Sequence, residues 1–111
     1  MYKKGTFYKC MNAQPGIRAE KQEGYISDCG RLGLHKPCKY SKYYVTDIKT
    51  GLAVERYPEG TDYSTIKSAI RTVLSYYDTQ EVQDKIAECL KTERHSAFLA
   101  DIQAQENEQA A

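Results

Sequence analysis

The sequence predicts an α+β domain: an antiparallel sheet of four or five strands from the first 60 residues, packed on one face by two or three carboxy-terminal helices. Three observations carry this. Residues 1–60 are rich in Tyr, Thr and Gly and never sustain a 3.6-residue apolar period. Ile66, Ala69, Ile70, Val73, Leu74 and Tyr77 do sustain it. The chain has only 111 residues, too few to bury two separate cores.

Each element has its own signal. Thr6 to Met11 reads as a first strand, and Asn12-Ala-Gln-Pro15-Gly16 as a turn. A second strand is expected over Ile17–Lys21, a turn at Gln22-Glu23-Gly24, and a short third strand over Gly24–Asp28. Gly30, Gly33 and Pro37 interrupt the next stretch, so residues 29–39 read as irregular or as a poorly paired edge. Tyr43–Ile48 and Leu52–Tyr57 form the clearest hairpin. Their Lys49-Thr50-Gly51 connection puts glycine where a type I turn with a bulge needs positive φ. Pro58-Glu59-Gly60 ends it.

Asp62 reads as the N-cap of the first helix. Asp78-Thr-Gln-Glu81 has capping-box spacing ahead of a second helix, whose apolar face is Val82, Ile86, Cys89 and Leu90. The polar run Lys91–Ser96 leaves open whether residues 79–102 form one helix or two. After Gln103 no apolar anchor remains, so the expected organisation is one domain over residues 1–103 and a disordered tail over 104–111.

Charge is divided along the chain. Residues 1–50 hold ten Lys/Arg against four Asp/Glu, a net of +6. Residues 51–111 hold six against eleven, a net of −5. Such polarity sets up opposite potentials on two regions of one molecule and points the first half toward an anionic partner. Ten tyrosines accompany two phenylalanines and no tryptophan, and six of the ten lie in the basic half. Tyrosine suits contact surfaces because its ring is rigid and amphipathic, and it is also a common strand former.

Several functional classes lack their residues. No apolar run nears the roughly 20 residues that cross a bilayer, and the amino terminus lacks the apolar run of a secretion signal. A cytoplasmic chain with reduced thiols is the expectation. Cys29-x5-His35-x2-Cys38, with Cys10 upstream, offers zinc-type ligands but not the paired C-x2–4-C knuckles of structural sites, so ordinary cysteines and no metal are expected. His35 and His95 lie among polar neighbours and read as surface residues. No phosphate loop, dinucleotide fingerprint, H-E-x-x-H or G-x-S-x-G occurs, and neither catalysis nor a cofactor is predicted.

The sharper signal is Lys36-Pro-Cys-Lys39-Tyr40-Ser-Lys42-Tyr43-Tyr44, which interleaves phosphate-pairing cations with rings on which bases stack. Tyr2-Lys3-Lys4 to Phe7-Tyr8-Lys9 repeats the pattern, and a platform would form if both segments shared one face. Strand alternation sends Tyr43 and Tyr44 to opposite faces, so only one of them can stack on a given surface. For a smaller anionic ligand such as a nucleotide, Arg31, Arg71 (off the stripe of the first helix) or Arg94 is a candidate to grip phosphate bidentately. The leading expectation is a non-enzymatic protein binding nucleic acid or a nucleotide through Lys36, Lys39, Tyr40, Lys42, Tyr43, Tyr44 and Arg71. The alternative is a protein–protein interaction module or an inhibitor of the small accessory type found in phages and mobile elements. Either fits a homodimer joined positive half to negative half.

Overall fold

The computed structural model describes residues 1–13, 16–54 and 62–110. Within them β1 (Tyr2–Ala13), β2 (Gly16–Ser27), β3 (Leu32–His35), β4 (Tyr44–Asp47) and β5 (Leu52–Ala53) precede α1 (Ile66–Tyr77), α2 (Gln80–Cys89) and α3 (Glu93–Ala110). The strands are antiparallel and lie side by side in chain order, so the predicted α+β class is the one found. No helix among the described residues is long and apolar enough to cross a membrane.

The amino-terminal hairpin is longer and simpler than its sequence suggests. Tyr2 faces Ser27 and the ladder continues without a break to Ala13 facing Gly16, which makes one strand of what reads as two. Gln22, Glu23 and Gly24 lie inside β2, opposite Phe7, Thr6 and Gly5. The positive-φ glycines among the described residues are Gly30 and Gly51, so Gly24 makes no turn.

β3 arises where irregular chain is expected. Leu-Gly-Leu-His shows no polar alternation because both of its faces are covered. On one face Leu32, Leu34 and Val45 form the main core with Ile66, Ala69, Ile70, Val73 and Tyr77 of α1. The opposite face, which the helices leave uncovered, is filled from within the sheet: Phe7 lies across Gly33, and His35 and Thr46 are buried beside it. A Cβ on Gly33 would sit 2.7 Å from three atoms of the Phe7 ring, so the aromatic ring replaces the side chain that glycine lacks.

Hydroxyls set the helix starts. Thr65, not Asp62, caps α1: its hydroxyl accepts from the Ser68 amide at 3.1 Å, and the Ser68 hydroxyl accepts from the Thr65 amide at 3.2 Å. Asp62 instead accepts from the Ser64 amide and hydroxyl one step earlier. Thr79, not Asp78, caps α2. The predicted α1 stripe is buried except for Leu74, which is 41% exposed.

Helices α2 and α3 are separate, divided at 90–92. α3 runs on to Ala110, through residues that read as a frayed tail, because Ala, Gln and Glu are good helix formers and Gln105 is anchored. Asp101 accepts from the Ala19 amide at 2.7 Å, and Gln105 donates to the Ala19 carbonyl at 2.6 Å. Two side chains one helical turn apart thus take the place of a neighbouring strand at β2.

The sheet is also rolled. Cys10 on β1 donates its amide to the Gly51 carbonyl in the β4–β5 turn at 2.8 Å. Gly51 has φ +72°, as its turn position predicts, and a Cβ there would meet the Phe98 ring of α3 at 2.5 Å and the Cys10 nitrogen at 2.8 Å. The expected continuation of the second hairpin strand to Tyr57 and the Pro58–Gly60 stop lie outside the described residues.

Candidate functional site

The predicted binding segment is the loop 36–43, closed at its base by the last pair of the β3–β4 ladder, His35 opposite Tyr44. Pro37 interrupts pairing and the chain turns back on itself. The Ser41 amide donates to the Cys38 carbonyl at 3.1 Å, and the Ser41 hydroxyl lies within reach of the Cys38 and Lys42 carbonyls. The far end is tied to the core by the Tyr43 amide, which donates to the Tyr63 carbonyl at 2.8 Å.

The structure places the predicted residues unequally. Lys36, Lys39 and Lys42 are exposed, and Tyr40 is 87% exposed at the loop tip. The Lys36 ammonium lies 5.1 Å from the Tyr43 ring centroid and that of Lys39 5.0 Å from the Tyr40 ring. Lys42 acts on Asp62, whose carboxyl is held below the usual range first by the Ser64 hydroxyl and amide and to a smaller degree by this lysine. Tyr43 and Tyr44 do face opposite ways: Tyr43 packs against the main core, whereas Tyr44 is 43% exposed and stands edge-on to His35 at 5.5 Å. Arg71 is exposed on α1, and no hydrogen bond, ion pair or ring contact among the described residues joins it to the loop.

Two residues outside the predicted set complete the corner. Tyr2 stands edge-on to Tyr25 with ring centroids 5.5 Å apart. Both act on Tyr43, whose phenol is pushed up first by burial and then by these two neighbours. The amino-terminal and loop segments therefore meet in a cluster of Tyr2, Tyr25 and Tyr43 with Lys36 above it. The missing information was register. With the ladder running unbroken from the Ala13–Gly16 pair, Lys4 falls opposite Tyr25 and Tyr2 two pairs further on, opposite Ser27.

A second polar cluster lines a cavity of about 590 Å³. The Arg31 guanidinium lies 4.3 Å from the Tyr77 ring centroid and donates to Asp78 at 2.8 Å. The Tyr77 hydroxyl donates to buried Asp47, whose second oxygen accepts from the Thr50 amide at 3.0 Å. Burial, followed by the bond to Asp47, pushes the Tyr77 phenol up to about 12, far from proton transfer at neutral pH. Both Asp47 oxygens are engaged, so the cluster pins the β4–β5 turn to α1.

His35 and His95, expected at the surface, are both buried, because Phe7 and Tyr44 cover the first and the packing of α3 covers the second. Cys10, Cys29, His35 and Cys38 do not converge: Cys10 bonds at Gly51, Cys29 lies beside Ser27, and Cys38 is exposed in the loop. Among the described residues no three of His, Cys, Asp and Glu are grouped to hold a metal. A smaller cavity of about 230 Å³ lies between α2 and β5, lined by Leu52, Val54, Tyr76, Ile86 and Cys89 among others. No family model, no curated protein and no solved structure matches this chain.

Proposed function

We propose that this chain is a non-enzymatic binding protein that takes a single strand of nucleic acid on the loop 36–43 and the adjoining tyrosine corner. The supporting observation is the assembly, from distant parts of the sequence, of Tyr2, Tyr25 and Tyr43 beside Lys36, at the base of a loop whose Tyr40 is 87% exposed. Cations beside aromatic rings match the two needs of a single strand, phosphate pairing and base stacking. Neither cavity described above is lined by the loop, which favours a strand lying on the surface over an enclosed nucleotide. The free cysteines, two of them exposed, suit a reducing compartment such as the cytoplasm. The opposite charges of the two halves suit a dimer.

The test is fluorescence anisotropy with labelled single-stranded DNA and RNA across a salt series. Affinity is expected to fall as salt rises, and joint replacement of Lys36, Lys39 and Lys42 by Ala to abolish the salt-sensitive part. Binding that ignores salt, or an unchanged affinity in the triple variant, removes nucleic acid from this surface. A salt-insensitive protein partner would then be sought for Tyr40, since an exposed tyrosine also anchors protein interfaces.

A further inference from the structure

His35 holds a position the binding proposal does not use. It ends β3, its ladder partner Tyr44 begins β4, and the whole loop 36–43 hangs between them. Its side chain is buried with the residue only 5% exposed, packed between Phe7 at 6.3 Å and Tyr44 at 5.5 Å. Among the described residues its Nδ1 has no hydrogen-bond partner. Its Nε2 lies 3.5 Å from the Lys9 ammonium on β1, a long contact in which the ammonium can only donate. Nε2 must therefore be the bare, accepting nitrogen of a neutral ring. A proton on it would set a donor against a donor and a cation against a cation in a place closed to water.

The other charged group acting on the ring is Glu20 on β2, whose carboxylate lies 3.5 Å from the same ammonium and is half exposed. Tyr44 is the remaining titratable neighbour, with its ring edge-on to that of His35.

We propose that His35 is an acid-operated latch for the loop: neutral, it holds the two ends of the loop 36–43 together beneath Phe7 and Tyr44, and on taking up a proton it leaves its place and frees the loop. The latch stands on its own geometry, whereas its consequence for ligand binding rests on the proposed function of the loop. Burial first, and then Lys9, lower the affinity of His35 for a proton, and Glu20 opposes them in part. The folded value therefore lies below the unfolded one. The latch is fully closed above the ordinary histidine range and loosens as pH falls from there toward the folded value.

Hydrogen exchange of the full chain, corrected for the intrinsic pH dependence of amide exchange, reads the latch without any ligand. Protection of the loop is expected to fall by up to about tenfold per pH unit once pH drops below about 6.5. Lys9→Gln should end the loosening at a higher pH with a smaller total loss of protection, and Glu20→Gln should carry it to a lower pH with a larger one, shifts of opposite sign that a merely structural histidine would not show. His35→Phe keeps the ring packing and should remove the pH response. If that variant does not fold, the two charge variants still decide. Loop protection that does not change down to about pH 5, or shifts of the same sign in the two variants, overturns the latch.

Anisotropy with single-stranded DNA on the same samples separates the two proposals. Acid makes the chain more cationic and by charge alone would tighten binding, so weaker binding as the loop loosens supports both. A loop that loosens in a protein binding no oligonucleotide at any pH keeps the latch and rejects the nucleic-acid interface. Binding without loosening does the reverse.

Discussion

Replacing Tyr77 by Phe removes one hydroxyl and leaves the ring, and so isolates the bond to Asp47 that pins the β4–β5 turn to α1. Asp47 is buried, and its other oxygen is held by the Thr50 amide, so the orphaned oxygen finds no ready substitute partner. A hydrogen bond to a charged group contributes about 1.5–3 kcal/mol, and leaving its acceptor buried and unpaired forfeits most of that. The expected loss is about 2 kcal/mol. In urea unfolding at neutral pH followed by circular dichroism, this lowers the midpoint by about 1 M for a domain of this size.

Alkali supplies an internal check. The Tyr77 phenol stands at about 12 in the folded chain, above its unfolded value of about 10. Its contribution is therefore complete below about pH 10 and is lost as pH rises toward 12, by at most about 1.4 kcal/mol per pH unit. The gap between wild type and Tyr77→Phe should narrow over that window and not below it. A gap under about 0.5 kcal/mol at neutral pH, or one that stays constant as the tyrosines ionise, would refute the assignment of this bond as a staple.

Other substitutions test other joints. Gly51→Ala adds a methyl group where the Phe98 ring and the Cys10 nitrogen already lie, at a φ that disfavours L residues, so a loss of at least about 1–3 kcal/mol is expected by the same unfolding assay. Asp101→Ala unpairs the Ala19 amide and should speed hydrogen exchange there, with a loss of about 1–3 kcal/mol, while the loop 36–43 keeps its protection. Tyr40→Ala should leave stability within about 0.5 kcal/mol of wild type, because the ring touches little besides Lys39. The same change should weaken oligonucleotide binding by about 5- to 150-fold, the equivalent of one lost base stack.

Much of the fold could be read from local signals. The α1 stripe, the Gly51 turn and the strand-rich first half each rest on the chemistry of a few neighbouring residues. What local reading missed depended on distant ones. Gln22-Glu23-Gly24 has the composition of a turn, but pairing with Thr6 and its neighbours holds it extended. Asp62 and Asp78 are good caps by type, yet Ser64 and Arg31 claim their oxygens and the caps fall to Thr65 and Thr79. Leu-Gly-Leu-His shows no recognisable pattern because it is covered by Phe7 from one strand and by α1 from the far half of the chain.

The candidate site divides the same way. Periodicity and composition by themselves determined the α+β class, the exposed run of Lys36, Lys39, Tyr40 and Lys42, and the opposite facing of Tyr43 and Tyr44, because alternation and side-chain polarity act over a few residues. Only the tertiary structure decided that Tyr2 and Tyr25 join Tyr43, that Arg71 stands apart, and that His35 lies buried beneath the loop beside Lys9. Those outcomes depend on strand register and on the rolling of the sheet, and a contact between residues 26 apart in the chain, such as Lys9 and His35, leaves no mark in the spacing of their neighbours.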